Sequence, residues 1–138
     1  MKRVVIFGTF DIFHPGHESF LKQAKKLGEY LLVVVARNRS VQKVKGQTPK
    51  NDEKVRARNV SRENLANKVI LGSKTHNYFQ TLRTYQIDTI ALGYDQKPKI
   101  VDLKKALKRH QLSQVTVVRL KPYNPGKFKS SLLKENVW

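Results

Sequence analysis

The stretch Gly8–His17, GTFDIFHPGH, directly follows the apolar run Val4–Phe7. The run does not alternate polar and apolar residues, which is typical of a parallel strand that is covered on both faces. Glycine and proline end such a strand readily, and apolar residues at helical spacing between His17 and Leu27 then predict a helix. The stretch therefore predicts a strand, a turn and a helix, with two histidines in and next to the turn.

The remainder of the chain repeats this order of strand and helix. Further helices are expected from the N-cap Asp52 to about Asn64, along Tyr78–Tyr85 and along Leu103–His110, and Gly28 is expected to end the first helix. Arg37–Lys50 is predicted to be a basic loop, and Ser130 or Ser131 to cap a short last helix. Four more apolar runs predict strands: Tyr30–Ala36, Lys68–Leu71, Thr89–Leu92 and Val115–Leu120. The alternation predicts an α/β fold with an open, five-stranded parallel sheet flanked by helices.

In such a sheet the ligand lies beyond the carboxyl ends of the strands, where the strand order reverses. The segments predicted at those ends are Gly8–His17, Arg37–Gly46, Gly93–Gln96 and Arg119–Ser131. Each of them carries polar or basic groups. The topology thus predicts one site built from several loops.

The composition limits the classes of function. A chain of 138 residues has the size of one domain, here residues 1–138, and the absence of cysteine excludes disulfides, thiolate zinc sites and thiol nucleophiles. The net charge of +18 favours a polyanionic partner such as nucleic acid, an anionic membrane or a phosphate-rich small molecule. No secretory signal is evident, and the run Leu31–Ala36 is too short to span a bilayer, so a cytoplasmic location is expected.

The two histidines of the turn suit a phosphate ligand. Backbone N–H groups and the helix dipole favour an anion at this position, and the imidazoles of His14 and His17 can donate to phosphate oxygens. Gly16 lets a phosphate approach the backbone closely. A zinc site is the alternative, but no third ligand is evident because His76 and His110 lie in separate segments. In a third interpretation both histidines only shape the turn.

The pattern G-T-F-D-x-x-H-x-G-H resembles the signature of the cytidylyltransferase-like nucleotidyltransferase superfamily, and all ten positions of Gly8–His17 match it. The resemblance implies a Rossmann-like fold and the transfer of a nucleoside monophosphate from a triphosphate to a phosphorylated acceptor. Four segments further resemble archaeal-type FAD synthases, which transfer AMP from ATP to FMN: Val33–Pro49, Lys68–Ser73, Ile90–Gln96 and Val117–Ser131.

Two alternatives stay open at this point. The first is a CTP-dependent cytidylyltransferase acting on glycerol-3-phosphate or a similar small phosphorylated alcohol. Those enzymes typically carry a compact R-T-x-G-I-S-T segment, whereas a longer basic loop here separates Arg119 from Ser130, which favours the FAD synthase branch. The second is a basic nucleic-acid-binding module, motivated by the charge, but no recognised motif supports a specific nucleic-acid partner.

The resemblance implies the following site. His14, His17 and Lys45 are expected to be catalytic, with Lys43 beside Lys45 in the basic loop. Mg²⁺ is expected to be bound mainly through the nucleotide, with no metal site of the protein's own. The nucleotide is expected to contact the turn through Gly8, Thr9, Phe10, His14, Pro15, Gly16 and His17, and the later loops through Gly93, Asp95, Arg119, Tyr123, Ser130 and Ser131.

Some positions depart from the family pattern or have a second interpretation. Asn38 stands where relatives commonly carry an acidic residue, and four arginines (Arg37, Arg39, Arg56 and Arg58) crowd the same region with positive charge, which bears on acceptor choice. Asp11 is expected to hydrogen-bond the turn rather than take part in the reaction. Trp138 is an apolar residue that a second copy could cover, so a homodimer is possible.

Overall fold

The computed structural model describes residues 1–72 and 77–122, and for residues 43–45 it describes the backbone without the side chains. Strands and helices alternate along most of the chain. In chain order they are β1 (Arg3–Gly8), α1 (Pro15–Lys25), β2 (Tyr30–Val35), α2 (Asn38–Lys45), α3 (Glu53–Ser61), β3 (Lys68–Leu71), α4 (Tyr78–Thr84), β4 (Thr89–Leu92), α5 (Ile100–Arg109) and β5 (Thr116–Arg119).

The five strands form one parallel sheet in the order β3-β2-β1-β4-β5. Gly8 at the end of β1 pairs with Val35 at the end of β2, and Leu92 at the end of β4 pairs with Arg119 of β5. The carboxyl ends of the strands therefore meet at one edge, as expected for this topology. The predicted α/β fold with a five-stranded parallel sheet is confirmed.

Alternate residues of β1 pack into two apolar layers, one on each face of the sheet. Val5 and Phe7 face the layer that contains Leu82 of α4 and Leu103 and Leu107 of α5. Val4 and Ile6 face the opposite layer, to which α1 contributes Leu21 and α3 contributes Val60. Because both faces of β1 are covered, its sequence is an unbroken apolar run. None of the helices in the described ranges has the length and apolar character needed to cross a bilayer.

Gly28 does not end α1. The helix has Lys26 as its C-cap in ordinary right-handed conformation. A Cβ on Gly28 would instead lie 2.5 Å from the carbonyl oxygen of Lys2. A glycine is therefore required here, because the backbone of residue 28 lies too close to the start of β1 to leave room for a side chain.

The predicted loop Arg37–Lys50 contains the eight-residue helix α2, so that prediction was wrong for its first half. Gly46 ends the helix in left-handed conformation with φ of 74°, and its N–H donates to Gln42. Val41 is a buried residue of α2 with an exposed fraction of 4%. A short helix with so little apolar surface leaves almost no periodic signal in the sequence.

Candidate active site

The strand order places the reversal point of the sheet between β1 and β4, because the chain first runs outward to β2 and β3 and then returns to β4. In open α/β sheets the ligand crevice opens at this point. The turn after β1 and the loop after β4 flank it. The two predicted segments Gly8–His17 and Gly93–Gln96 are thus brought together at one edge.

His14 and His17 form a reciprocal cap at the start of α1. His14 is the N-cap residue, and its Nδ1 accepts from the N–H of Gly16 at 3.0 Å. Nδ1 of His17 accepts from the N–H of His14 at 3.3 Å. The two rings lie face to face, with centroids 3.9 Å apart and an interplanar angle of 28°. Pro15 stands at the first helical position, where its fixed φ suits a helix start.

These hydrogen bonds determine which nitrogen of each ring carries the proton. A nitrogen that accepts a hydrogen bond is unprotonated, so the proton of each neutral imidazole lies on Nε2. Both rings are consequently held as Nε2–H donors at the N-terminus of a helix. That arrangement suits an anion, because the helix dipole and the N–H groups of the first turn also favour negative charge at this position.

The residues before the histidines are packed tightly. Phe10 is fully buried and has a φ of 53°, in the left-handed region that bulky residues rarely adopt. Its ring lies edge-on to His17 with centroids 5.2 Å apart. A Cβ on Gly8 would lie 2.5 Å from the same Phe10 ring, so only glycine fits there. Thr9 Oγ1 is buried and has no hydrogen-bond partner among the described residues.

Asp11 anchors the turn to a distant part of the chain. Its carboxylate accepts from the backbone N–H groups of Lys50 and Asn51, both at 2.8 Å, and Asn51 Nδ2 donates to its carbonyl oxygen. Asp11 was expected to hydrogen-bond the turn. Its partners, however, are the residues just before α3 rather than the turn itself.

Arg56 of α3 contacts the backbone of the turn, and the sequence analysis did not predict that contact. Its guanidinium is fully buried and donates to Thr9 O at 2.8 Å, Asn51 O at 3.0 Å and Asn38 Oδ1 at 2.7 Å. Burial lowers the pKa of this guanidinium, and the carboxylates of Asp11, Glu53 and Asp52 oppose the shift.

Arg56, one of the four arginines expected to crowd this region with positive charge, is buried and directs its guanidinium to Thr9, Asn51 and Asn38. Arg37 is also engaged, through a salt bridge of 3.2 Å to Glu53 and a bond from Nε to Gly72 O. The sequence alone does not distinguish a buried arginine from the exposed arginines around it.

Asn38 joins Arg56 to the start of α3. Its Oδ1 accepts from Arg56, its Nδ2 donates to Asp52 Oδ1 at 2.8 Å, and its N–H donates to Glu53 Oε1 at 2.9 Å. The hydrogen bond from Asn38 lowers the pKa of Asp52. Asp52 occupies the predicted N-cap position of α3, but its side chain does not cap the helix.

The loop after β4 is tied to β1. Gln96 is buried, donates through Nε2 to Phe7 O at 2.8 Å and accepts from Gly93 N–H at 3.0 Å. Arg119 donates to Gly93 O at 2.9 Å, to Gln96 O, and to Pro98 O at 3.3 Å. Arg119 thus supports this loop, in which Asp95 is exposed. Gln96 is a second residue that the sequence analysis did not single out.

The other predicted site residues are only partly described. Lys45 is the last residue of α2, which begins three residues after the end of β2 at the same sheet edge. Tyr123, Ser130, Ser131 and Trp138 lie outside the described residues. Among residues 1–72 and 77–122, no group of three His, Asp or Glu side chains lies close enough together to hold a metal ion.

A five-stranded parallel sheet with a strand–turn–helix unit at its reversal point defines an open-sheet α/β protein of the doubly wound class. Within that class the chain belongs to the cytidylyltransferase-like family, whose sequence model matches residues 5–136. The resemblance identified from Gly8–His17 is therefore confirmed.

Individual relatives and one solved structure agree with this assignment. An FAD synthase of Archaeoglobus profundus is 43% identical over 132 residues, covering 95% of this chain and 82% of that protein. One of Thermococcus sibiricus is 37% identical over 132 residues, covering 96% and 86%. The lipopolysaccharide core biosynthesis protein from Thermoplasma volcanium superposes with a TM-score of 0.82 at 37% identity, covering 90% of this chain and 99% of that one.

Proposed function

We propose that this protein is a nucleotidyltransferase that transfers AMP from ATP to FMN and releases FAD and pyrophosphate. The observation that carries the proposal is the histidine pair, whose rings lie 3.9 Å apart with both Nδ1 atoms bound to backbone N–H groups. The identity to FAD synthases, 43% and 37% over most of the chain, supports ATP as donor and FMN as acceptor.

The proposed reaction is an in-line displacement. A terminal oxygen of the FMN phosphate forms a bond to the α-phosphorus of ATP. The bond from that phosphorus to the bridging oxygen breaks, and its electron pair leaves with pyrophosphate. The attacking oxygen is already anionic, so no general base is needed. Negative charge crowds in the transition state, and positioning with electrostatic stabilisation therefore supplies most of the rate.

In this mechanism His14 and His17 donate from Nε2 to phosphate oxygens. The backbone of Gly8, Thr9 and Phe10 lines the triphosphate, while Pro15 and Gly16 open the first turn of α1 to it. Lys45, the last residue of α2, is proposed to add positive charge near the phosphates. Asp95, in the loop after Gly93, accepts from the ribose hydroxyls.

Other parts of the proposal concern the later loops and the metal ion. Arg119 donates to carbonyls of the loop that carries Asp95, and its own contact with the nucleotide stays a prediction. Contacts of Tyr123, Ser130 and Ser131 with the nucleotide stay predictions. Mg²⁺ is proposed to enter with the ATP phosphates and to reduce their charge. The described side chains do not fit a metal site held by the protein, and no step above requires one. Residues 1–138 are proposed to form a single nucleotidyltransferase domain.

The test measures pyrophosphate release with Mg²⁺ for ATP or CTP combined with FMN or glycerol-3-phosphate. We expect turnover with ATP and FMN, and its loss in His17→Ala. His110→Ala is the control, because His110 is exposed beyond the end of α5, where its ring stacks on Phe79. Turnover only with CTP and glycerol-3-phosphate would overturn the substrates and keep the reaction class. No turnover with any pair, together with salt-dependent RNA binding, would favour the nucleic-acid alternative.

A further inference from the structure

We propose that Arg56 is a positioning residue, which holds the Thr9–Phe10 peptide in the orientation that the histidine turn requires. The guanidinium lies inside the protein. It belongs to α3, which begins at Glu53, 36 residues after His17. It therefore acts on the ligand site through the backbone of the turn. Nothing in its sequence surroundings distinguishes it from the exposed arginines of the same region.

The first step of the argument concerns the peptide between Thr9 and Phe10. A peptide group is planar, so the φ of Phe10 sets the direction in which Thr9 O points. That φ is 53°, and Thr9 O accepts from Arg56 at 2.8 Å in a buried position. Rotation of the peptide toward a common negative φ would turn Thr9 O away from the guanidinium. The buried carbonyl would then lose its described partner, so the bond opposes that rotation.

The second step connects the peptide to the histidines. Phe10 is fully buried, and its ring fills the space over Gly8. The same ring contacts His17 at a centroid distance of 5.2 Å, and His17 in turn stacks on His14. Because the interior is closely packed, a different backbone conformation at Phe10 would displace its ring and both imidazoles with it.

The third step explains why the residue is an arginine. The guanidinium donates in three directions, to the backbone of residues 9 and 51 and to the side chain of Asn38. Its planar fork fixes those three partners relative to one another, whereas a lysine ammonium is a single point on a flexible stem. Since Asn38 is the first residue of α2, Arg56 also fixes the start of the helix that ends at Lys45. One side chain thus binds both the turn after β1 and the first residue of α2.

The test compares Arg56→Met and Arg56→Lys with the matched control Arg62→Met, which removes an exposed guanidinium at the end of the same helix. The first readout is ¹⁵N NMR of the histidine rings, which reports the protonation of each Nδ1 and Nε2. Wild type is expected to show His14 and His17 as Nε2–H forms. In folded Arg56→Met we expect the two histidines to lose the uniform Nε2–H form. Arg56→Lys is expected to show a smaller loss, and Arg62→Met is expected to match wild type.

The second readout is kinetic and rests on the proposed function. With ATP and FMN, Arg56→Met is expected to lower kcat on the order of 10²-fold, because small displacements of aligned groups reduce rates steeply. KM is expected to change much less, and Arg56→Lys to recover part of kcat. A merely structural arginine would lower the melting temperature and leave both the histidine spectrum and kcat of the folded protein unchanged, which would overturn the proposal.

Two outcomes keep the test decisive. If Arg56→Met does not fold, Arg56→Lys takes its place, and an unchanged histidine spectrum with unchanged kcat in that variant overturns the proposal. If wild type does not convert ATP and FMN, the proposed function fails. The histidine spectra then still decide whether Arg56 sets the turn, since they require no substrate.

Discussion

The ring of Phe10 lies directly against the α-carbon of Gly8, so that a Cβ built on Gly8 would be 2.5 Å from Phe10 Cε2 and 2.7 Å from Cζ. The two residues are two positions apart, and the positive φ of Phe10 folds its ring back over the end of β1. The fully buried ring leaves no space into which either partner can move. Gly8 and Phe10 therefore depend on each other.

Gly8→Ala is expected to lower the free energy of unfolding by about 1–3 kcal/mol, because an extra methyl group in a packed core forces its neighbours apart. Urea unfolding measures the effect. Gly72→Ala is the control, since a Cβ there would meet its nearest atom, Val35 O, at an ordinary 3.7 Å. Equal stability of the two variants would contradict the packing argument.

The two roles of His14, capping and donation, can be separated by substitution. Serine is a good N-cap residue, so His14→Ser is expected to retain the stability of α1 while losing the Nε2–H donor. Turnover of ATP and FMN should fall on the order of 10²-fold, as for the loss of one stabilising donor. His14→Ala should show the same kinetic defect and in addition lose about 1 kcal/mol of stability.

Thermal unfolding and steady-state kinetics of the two His14 variants check this prediction. His110→Ala, in which a histidine outside the site is removed, should keep wild-type kinetics. Full activity of His14→Ser would show that the imidazole serves only as a cap. That result would remove His14 from the proposed mechanism.

Asn38→Ala is expected to raise the pKa of Asp52 toward the ordinary value of about 3.8, because the hydrogen bond from Asn38 is the main cause of its lowered pKa. A lowered pKa in the folded state favours the ionised form. Its stabilising effect is therefore present above the unfolded pKa and is lost as pH falls through the folded pKa. Below about pH 4 the wild type should thus lose this contribution, and the variant should have little of it to lose.

An NMR titration of carboxyl carbons provides the measurement and an internal control. The pKa of Glu29 is lowered mainly by the backbone N–H of Lys2, which is remote from α2 in the sequence. Glu29 should titrate identically in wild type and Asn38→Ala. An unshifted Asp52 in the variant would mean that the bond from Asn38 contributes little in solution.

Gln96→Ala is expected to lower the free energy of unfolding by about 1–3 kcal/mol for each buried group that it leaves unpaired. Gln96 pairs the buried Phe7 O and the half-buried Gly93 N–H in the structure, so the larger cost is expected at Phe7 O. Since the loop after β4 carries Asp95, KM for ATP should also rise. Urea unfolding and kinetics measure both effects, with the exposed Gln114→Ala as control. An unchanged KM for ATP would show that this loop does not contribute to nucleotide binding.

The strands and the histidine turn could be predicted because their signals are local. Val4–Phe7 is an unbroken apolar run, and the structure covers both faces of β1. The turn was recognised from ten adjacent residues, all within one strand–turn–helix unit. Helix α2 was missed because a short amphipathic segment with few buried side chains resembles a polar loop.

The supporting residues could not be predicted for a different reason. Arg56, Gln96 and Asn51 are polar, and their sequence neighbours are mostly polar as well, so that composition alone suggests exposure. Their contacts depend on partners far along the chain: Arg56 NH1 binds a carbonyl 47 residues away, and Gln96 Nε2 binds one 89 residues away. Such contacts follow from the tertiary structure and cannot be predicted from the local sequence.

The bonds from Asp11 to Lys50 and Asn51 have a consequence for folding. A peptide that ended at Tyr30 would contain the whole GTFDIFHPGH signature, yet it would lack the donors that hold Asp11 and Thr9. The turn should therefore acquire its shape only in the late, cooperative stage when α3 docks on the sheet. Partly folded chains would then carry the complete motif without any affinity for nucleotide, and a nucleotide present during folding would bind and stabilise only the finished domain.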